Sequence, residues 1–274
     1  MCNEGYLTSD DVREGYVKPL AQTWKKVTYA NVDGRAIFEG CIILGQTDDL
    51  EVTAGEVEHA IRAMPALLTE ANALIQGVAI RGQQYRWPNR TVPYVVADEV
   101  VDKDRIDEAI AHWHDKTSIR FKLRTTERDY VDIVRVESGC ASHVGRQGGR
   151  QEMILADTCS VGNIIHELGH AVGLWHEHSR ADRDQFVEIV FSNVNPSYRH
   201  NFDQHIQDGI DVEAYDYGSI MHYPPQAFSV TQQATIRPKQ PLPQGVTMGQ
   251  RTGLSPGDVA AVEKIYDGMP HAAA

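Results

Sequence analysis

Apolar residues recur at helical spacing in two separate stretches of this chain. One stretch predicts a helix over residues 102–116, whose apolar positions are Ile106, Ala109, Ile110 and Trp113. The other predicts a helix that begins near Val161 and carries an apolar face made of Val161, Ile164, Ile165, Leu168, Ala171 and Val172. The first is expected to back a twisted sheet, and its His112 and His114 are expected to face solvent rather than to be ligands.

Strand-like patterns surround the first helix, at residues 91–96, 119–123 and 130–136. The N-terminal third predicts a helix over residues 55–75, interrupted at Pro65, after a strand-like stretch around residues 37–44. Near the end of the chain, Ser255, Pro256 and Asp258 form a capping box that opens a last helix, ending near Tyr266. Residues 185–250 show little periodicity. Together these patterns predict an α+β fold.

Composition narrows the functional classes. The chain has 274 residues, 42% of them hydrophobic, and a formal net charge of −12, so it can bury a large core and is not expected to bind nucleic acid. No segment approaches the roughly 20 apolar residues that a membrane span requires, and we expect neither a span nor a signal peptide in this sequence. We expect a monomer.

Candidate chemistry is concentrated on the second helix. His166 and His170 are four residues apart, so both imidazoles project from one helix face and can bind a single Zn²⁺ ion. Glu167 beside them is a candidate general base. Gly173 can adopt the left-handed conformation that ends a helix, which would direct His176 back as a third ligand and leave the fourth position to water. We find no competing nucleophile motif.

This run, extended to Glu177, and the later sequence Ser219-Ile220-Met221-His222-Tyr223 together resemble the astacin family of metzincin zinc endopeptidases. The resemblance covers about residues 78–268 and extends through Tyr94 and the segments 116–121, 124–130, 138–140, 144–146 and 176–184. It implies a two-lobed catalytic domain, with a twisted sheet and the zinc helix above the cleft and a mostly irregular lower lobe. It also implies that residues 141–144 form the edge strand that pairs with an extended substrate.

The resemblance assigns roles to single residues. It makes His166, His170 and His176 the ligands of one zinc ion per chain and Glu167 the general base and acid. Met221 would lie beneath the metal, in the turn known as the Met-turn. Tyr223 becomes a residue that can switch between the metal and the tetrahedral intermediate. Glu177 would contact the amino terminus released by activation; the alternative is a solvated carboxylate beside Arg180.

The first 77 residues resemble an inhibitory pro-segment, with residues 78–274 as the catalytic domain. Phe38-Glu39-Gly40-Cys41 is similar to the Phe-x-Gly-Asp motif by which astacin pro-segments place a carboxylate on the zinc, but Cys41 stands in place of the Asp. We therefore expect a cysteine switch, as in the bacterial astacin relative myroilysin, that an activating protease relieves by cutting near Val78. Alternatively, Cys41 is a small buried strand residue or forms a disulfide with Cys2.

The other cysteines indicate an oxidising, extracytoplasmic location. We expect Cys140 and Cys159 to form a disulfide, whereas Ser118 stands where the family has the first cysteine of a second bridge, so that bridge is absent. Cys2 is either a free thiol or the lipid-carrying residue of a bacterial lipoprotein.

Substrates are expected to be proteins or peptides. Arg237 and Arg251 are candidate pocket charges, and Arg251 would favour an acidic residue beyond the scissile bond unless it is simply solvated. The rival function is a catalytically silent zinc domain that acts as an adhesion module, although a general base beside the metal would serve no purpose there.

Overall fold

The computed structural model describes residues 5–20, 23–63, 79–204 and 209–271. Its strands are β1 to β13, at Val12–Leu20, Thr23–Val32, Arg35–Phe38, Ile42–Gln46, Ala79–Ile80, Thr91–Val96, Arg120–Leu123, Tyr130–Arg135, Cys140–Ser142, Arg150–Leu155, Val187–Ile189, Gly209–Ile210 and Ile236–Pro238. Its α-helices are α1 to α4, at Thr47–Ala63, Asp104–Lys116, Val161–Val172 and Pro256–Ile265. Within the described residues, no helix is both long and apolar enough to cross a membrane.

A nine-stranded sheet joins the N-terminal third to the rest of the chain, in the order β1-β2-β3-β4-β9-β10-β8-β6-β7. Strands β1 to β4 form an antiparallel meander. Strand β4 then pairs with β9 in parallel, opposite Ser142. Strands β10, β8, β6 and β7 continue the sheet in parallel, so the residues predicted to form a pro-segment extend the sheet of the predicted catalytic domain.

Strands β6, β7 and β8 agree with the sequence patterns to within about one residue, whereas β10 and the short strands β5, β11, β12 and β13 were not predicted. The N-terminal third differs more. The strands β1 and β2 were not predicted from sequence. Helix α1 begins at Thr47 rather than at residue 55, because Asp48 and Asp49 occupy its first turn and favour the positive end of the helix. The predicted interruption at Pro65 and the end of that helix lie outside the described residues.

Helices α2 and α3 pack together against the sheet. The Trp113 indole of α2 donates to the carbonyl oxygen of Ile165 in α3 at 3.1 Å, and both residues lie in the largest hydrophobic cluster. The expectation that His112 and His114 face solvent rather than act as ligands holds only in part, since neither belongs to the group of candidate metal ligands but neither is fully exposed. Both are half-buried, and their Nε2 atoms accept the backbone N–H groups of Leu254 at 3.0 Å and Phe121 at 2.9 Å. They link α2 to a later loop and to β7.

After α3 the chain forms the predicted, mostly irregular lower part, which contains several 3₁₀ turns, the short strands β11 to β13 and α4. Helix α4 begins as predicted, since Ser255 caps it and the Asp258 side chain accepts the Ser255 N–H in return. The two carboxylate oxygens of Asp258 also accept the Ser219 hydroxyl at 2.6 Å and the Ile220 N–H at 2.9 Å. The cap of α4 therefore holds the turn that carries Met221.

Hydrogen bonds and an ion pair connect α4 to Arg90 and Ser118, in the part of the chain that precedes α3. The second disulfide that the resemblance would place here is absent. The Glu263 carboxylate accepts the N–H of Ser118 at 2.6 Å and the Ser118 hydroxyl at 2.8 Å, and it pairs with the buried Arg90 guanidinium at 2.7 Å. Arg90 also donates to the carbonyl oxygen of Tyr266 at 2.9 Å. Ser118 thus takes part in a polar link at the position where the disulfide would begin.

Candidate metal centre

Helix α3 places two of the candidate ligands on one buried face. Ser160 caps its first turn, and the Asn163 side chain accepts from the Ser160 N–H in return. The helix ends at Gly173, where φ is 121° and the N–H bonds back to the carbonyl oxygens of Gly169 and His170. The prediction that Gly173 ends this helix is confirmed. His166 and His170 lie one turn apart and are both buried.

The chain then returns His176 to the same point, and Cys41 from the N-terminal third completes a group of four. The donor atoms of these residues all lie within 4.8 Å of one another. The Cys41 sulfur lies 3.5, 3.4 and 3.1 Å from the Nε2 atoms of His166, His170 and His176. Donors bound to one Zn²⁺ at about 2.0–2.3 Å in a tetrahedron are roughly 3–4 Å apart, so these separations fit a zinc ion.

The hydrogen-bond partners of Nδ1 in His166 and His170 show that Nε2 is the nitrogen available to a metal. Nδ1 of His166 contacts the carbonyl oxygen of Ile220 at 2.8 Å, and Nδ1 of His170 contacts that of Leu174 at 2.7 Å. A carbonyl oxygen only accepts, so each Nδ1 carries the proton and each Nε2 presents a lone pair to the common centre. Burial lowers the pKa of these two histidines and of His176, that of His170 to about 3, which keeps the rings neutral.

Cys41 is a buried free thiol in the turn between β3 and β4, neither in a strand nor in a disulfide. Burial raises its pKa, and the nearby Glu167 adds to the effect. Gly40, with φ of 69°, allows the turn that carries Cys41 to pack closely on Phe228 and Tyr6. An added Cβ at this position would lie 2.8 Å from Phe228 and 3.0 Å from Tyr6. The alternative partner Cys2 lies outside the described residues.

Met221 and Tyr223 both pack close to the histidine group. An added Cβ at Gly169 would lie 2.8 Å from the Met221 sulfur, so Met221 packs directly against α3. Tyr223 is fully buried, and its ring stacks on His178 with centroids 3.7 Å apart. Its hydroxyl donates to the backbone carbonyl of Glu39 at 2.7 Å. The phenol is therefore held by the N-terminal third.

Glu167 and Arg251 are two charged side chains at this centre. Glu167 is buried, and its Oε2 atom has no hydrogen-bond partner among the described residues. Burial raises its pKa, opposed by the positive charge of Arg251. Arg251 is half-buried and donates to the carbonyl oxygens of Ile220 at 2.8 Å and Gln250 at 2.9 Å, so it is not a solvated arginine. Arg237, by contrast, is exposed in β13.

Glu177 is buried rather than solvent-exposed, so the alternative interpretation of this residue is wrong. It accepts the Asp216 N–H at 2.8 Å and lies 3.5 Å from the Arg180 guanidinium. Burial raises its pKa, and Arg180 opposes the rise. A buried carboxylate with a nearby cation can also accept from a chain terminus.

Sequence reasoning missed two residues at this centre, Glu39 and Tyr6. The Glu39 carboxylate contacts Nδ1 of His176 at 2.6 Å, and both side chains are 0% exposed. The Tyr6 ring packs against Tyr223 and Phe228, with centroids 5.0 and 5.1 Å away. Glu39 is polar among apolar neighbours in the sequence, which was the only available signal; Tyr6 gave none.

The edge strand β9, predicted at residues 141–144, lies at Cys140–Ser142 and is covered by the N-terminal third. Ser142 N–H donates to the carbonyl oxygen of Cys41 at 3.0 Å, and Cys140 N–H donates to that of Gly5 at 3.0 Å. The predicted disulfide between Cys140 and Cys159 is present and ties β9 to the residue before the cap of α3. A second chain cannot pair at these positions while the N-terminal third is in place.

Comparisons with known proteins agree with this geometry. The profile of the astacin peptidase family matches residues 79–267, which is more than half of the chain. The chain is 40% identical over 199 residues to "Zinc metalloproteinase nas-13" of Caenorhabditis elegans, covering 70% of this chain and 43% of that protein. It is 32% identical over 237 residues to "Nematocyst expressed protein 6" of Nematostella vectensis, covering 82% and 80%.

A solved structure shows the same fold. High choriolytic enzyme 1, a hatching enzyme zinc-protease from Oryzias latipes, superimposes with a TM-score of 0.62 at 35% sequence identity. The match covers 69% of this chain and 98% of that one. The chain thus spans nearly all of the hatching enzyme but less than half the length of nas-13.

Proposed function

We propose that this chain, which belongs to the astacin family of zinc metallopeptidases, is an endopeptidase that its N-terminal third holds in a latent form. The convergence of Cys41 with His166, His170 and His176 carries the proposal. The three histidines would hold the zinc ion that serves as cofactor in this family. When bound there, Zn²⁺ would polarise a peptide carbonyl and lower the pKa of a water molecule.

The chain's own residues supply the proton transfers. Glu167 lies on the same helix as two ligands and acts as general base, taking a proton from the attacking water and returning it to the leaving amine. Tyr223, once free of Glu39, donates to the developing oxyanion.

Latency is supported by the position of the Cys41 sulfur, at the fourth corner of the histidine group. A thiolate is a strong, soft ligand for zinc and would exclude the attacking water. The N-terminal third also covers β9, where an extended substrate would pair. Latency would end with a cut near Val78, between the two proposed domains of residues 1–77 and 78–274; this position lies outside the described residues. Glu177 would then accept the new amino terminus.

An extracytoplasmic location is supported by the disulfide of Cys140 and Cys159, since such bonds persist in oxidising compartments. Lipid attachment at Cys2 remains a proposal about a residue outside the described ranges. Arg251 donates to the carbonyl oxygen of Ile220, which also contacts Nδ1 of His166, and this position supports a preference for Asp or Glu beyond the scissile bond. Cleavage of a peptide library by the activated protein tests this, and indifference to acidic residues would remove it.

The decisive experiment compares four proteins on casein before and after limited trypsin treatment: wild type, Cys41→Ala, Cys41→Asp and Glu167→Gln. We expect wild type to be active only after cutting. Uncut Cys41→Ala should hydrolyse more casein than uncut wild type but less than after cutting, because the N-terminal third still covers β9. Cys41→Asp should regain latency through the carboxylate of the family motif. X-ray absorption of the uncut wild type should show sulfur at about 2.3 Å from zinc. Equal latency of wild type and Cys41→Ala would reject the switch.

Glu167→Gln distinguishes the enzyme from the rival adhesion module. It should bind zinc but lose casein hydrolysis by about 10²-fold or more after trypsin treatment. A wild-type protein that binds zinc yet hydrolyses nothing after activation would favour the adhesion module.

A further inference from the structure

We propose that Glu39 is a positioning residue of the zinc site, which holds His176 from the side opposite the metal so that the latent protein retains Zn²⁺ more firmly than the activated one. This inference rests on the proposed function, because it takes His176 to be a zinc ligand. Glu39 occupies the unspecified second position of the Phe-x-Gly-Asp-like motif, so the family resemblance gave it no role.

The three histidines differ in the group that contacts Nδ1, the ring nitrogen that faces away from the metal position. Backbone carbonyl oxygens contact Nδ1 of His166 and His170, and those carbonyls belong to the catalytic part of the chain. Nδ1 of His176 instead contacts the Glu39 carboxylate, at 2.6 Å. A carboxylate behind a ligating imidazole fixes its orientation and tautomer and makes it a stronger ligand. The partner of His176 therefore leaves when the N-terminal third is removed.

The surroundings of Glu39 hold it in this position. Its side chain is 0% exposed, and a buried carboxylate is stable only when it is paired. Its backbone has φ of 47°, a conformation that non-glycine residues keep only where neighbouring contacts enforce it. Its carbonyl oxygen accepts the Tyr223 hydroxyl at 2.7 Å. Glu39 thus contacts a ligand and a proposed catalytic residue at once, two positions away from Cys41.

The test measures zinc release rather than peptidase activity. Uncut wild type, Glu39→Gln and Glu14→Gln are loaded with one Zn²⁺ and mixed with an excess of a chromogenic chelator. Glu14 is the matched control, because it is a carboxylate of the same N-terminal third that pairs with Lys26 on the exposed face of β1 and β2. Loss of a carboxylate partner typically weakens metal binding 10- to 100-fold, so Glu39→Gln should release zinc about that much faster, and Glu14→Gln at the wild-type rate.

Two further comparisons separate Glu39 from the cysteine switch. After trypsin activation, wild type and Glu39→Gln should release zinc at one rate, because the cut removes the only residue in which they differ. In a Cys41→Ala background, Glu39→Gln should still accelerate release. If the effect vanished there, Glu39 would act only by seating Cys41, and the proposal would fail.

Equal release by wild type and Glu39→Gln, or equal acceleration by Glu39→Gln and Glu14→Gln, would overturn the proposal. Near-UV circular dichroism of the uncut proteins shows whether tertiary packing is retained. If packing were lost in Glu39→Gln, Glu39→Asp is used instead; it keeps the charge but shortens the side chain, and an intermediate release rate is expected. Casein hydrolysis by the activated wild type is measured in parallel, so failure of the proposed endopeptidase activity would be seen separately.

Discussion

At the scale of single residues, Tyr223 is held by contacts that the proposed activation would remove. Its hydroxyl is held by the Glu39 carbonyl at 2.7 Å, and its ring is packed against His178, Phe228 and Tyr6. Burial raises its pKa well above the ordinary value, so the phenol keeps its proton and can donate a hydrogen bond. Removal of the N-terminal third would take away the Glu39 carbonyl and free that donor.

We therefore expect Tyr223→Phe, once activated, to keep its zinc but to lose about 10²- to 10³-fold in kcat, the usual cost of one missing oxyanion donor. Steady-state kinetics on a quenched-fluorescence peptide measures this, with metal content determined in parallel. Tyr217→Phe is the matched control, because its hydroxyl donates to the Phe186 carbonyl instead. A rise in KM alone, with kcat unchanged, would contradict the assigned role of Tyr223.

Sequence could predict the residues whose chemistry is carried by spacing on one element. His166, His170 and Gly173 belong to one helix and its end, and the structure places them as expected. Glu39 could not be predicted, because its importance depends on a side chain 137 positions away in the sequence. The strength of that contact comes from complete burial, which no local pattern of residues specifies.

At the scale of elements, the turn that carries Cys41 is enclosed between β9 and the segment of residues 5–7. Leu7 N–H donates to the Gly40 carbonyl at 2.7 Å, and Gly5 accepts from Cys140 N–H at 3.0 Å. Leu7 packs tightly on Gly139, where an added Cβ would lie 2.6 Å from it. This short segment therefore helps to hold the turn that carries Cys41 against the histidine group.

Leu7→Ala is expected to loosen that turn. Leu7 is only 5% exposed, and truncation of such a residue typically costs about 2–5 kcal/mol. The uncut variant should show more casein hydrolysis than wild type and faster modification of the Cys41 thiol by a maleimide. Leu123→Ala is the control, because Leu123 is 63% exposed on β7. Unchanged thiol reactivity in Leu7→Ala would show that the segment does not hold the turn.

Elements with end signals could be predicted, and elements that depend on distant pairing could not. Helix α4 was found because Ser255 and Asp258 form its cap. The hairpin of β2 and β3 was missed although it has a local signal: Asp33 and Gly34, with φ of 51° and 80°, form the Asp-Gly turn typical of hairpins. The parallel pairing of β4 with β9 has no local signal, because it joins strands about a hundred residues apart.

At the scale of the whole molecule, the C-terminal helix must be held against the upper part without the family's second disulfide. Glu263 performs this function through Ser118 and the buried Arg90. Burial would raise the pKa of Glu263, but the hydrogen bonds from Ser118 and the charge of Arg90 outweigh it, so the pKa lies below the ordinary value of 4.5. A carboxyl group whose pKa is lowered in the folded state stabilises that state above its ordinary pKa, and the contribution is lost as pH falls through the lowered value.

Glu263→Gln should therefore destabilise the protein at pH 7, and the difference from wild type should shrink below the ordinary pKa. Because Glu263 is 39% exposed, solvent screening limits the cost to about 1 kcal/mol, or about 2–4 °C in Tm. Thermal unfolding of both proteins between pH 7 and pH 3 measures this. Glu137→Gln is the control, since Glu137 pairs with Arg135 but is 89% exposed. A difference between wild type and Glu263→Gln that persisted undiminished at pH 3 would show that side-chain shape, rather than charge, makes the link.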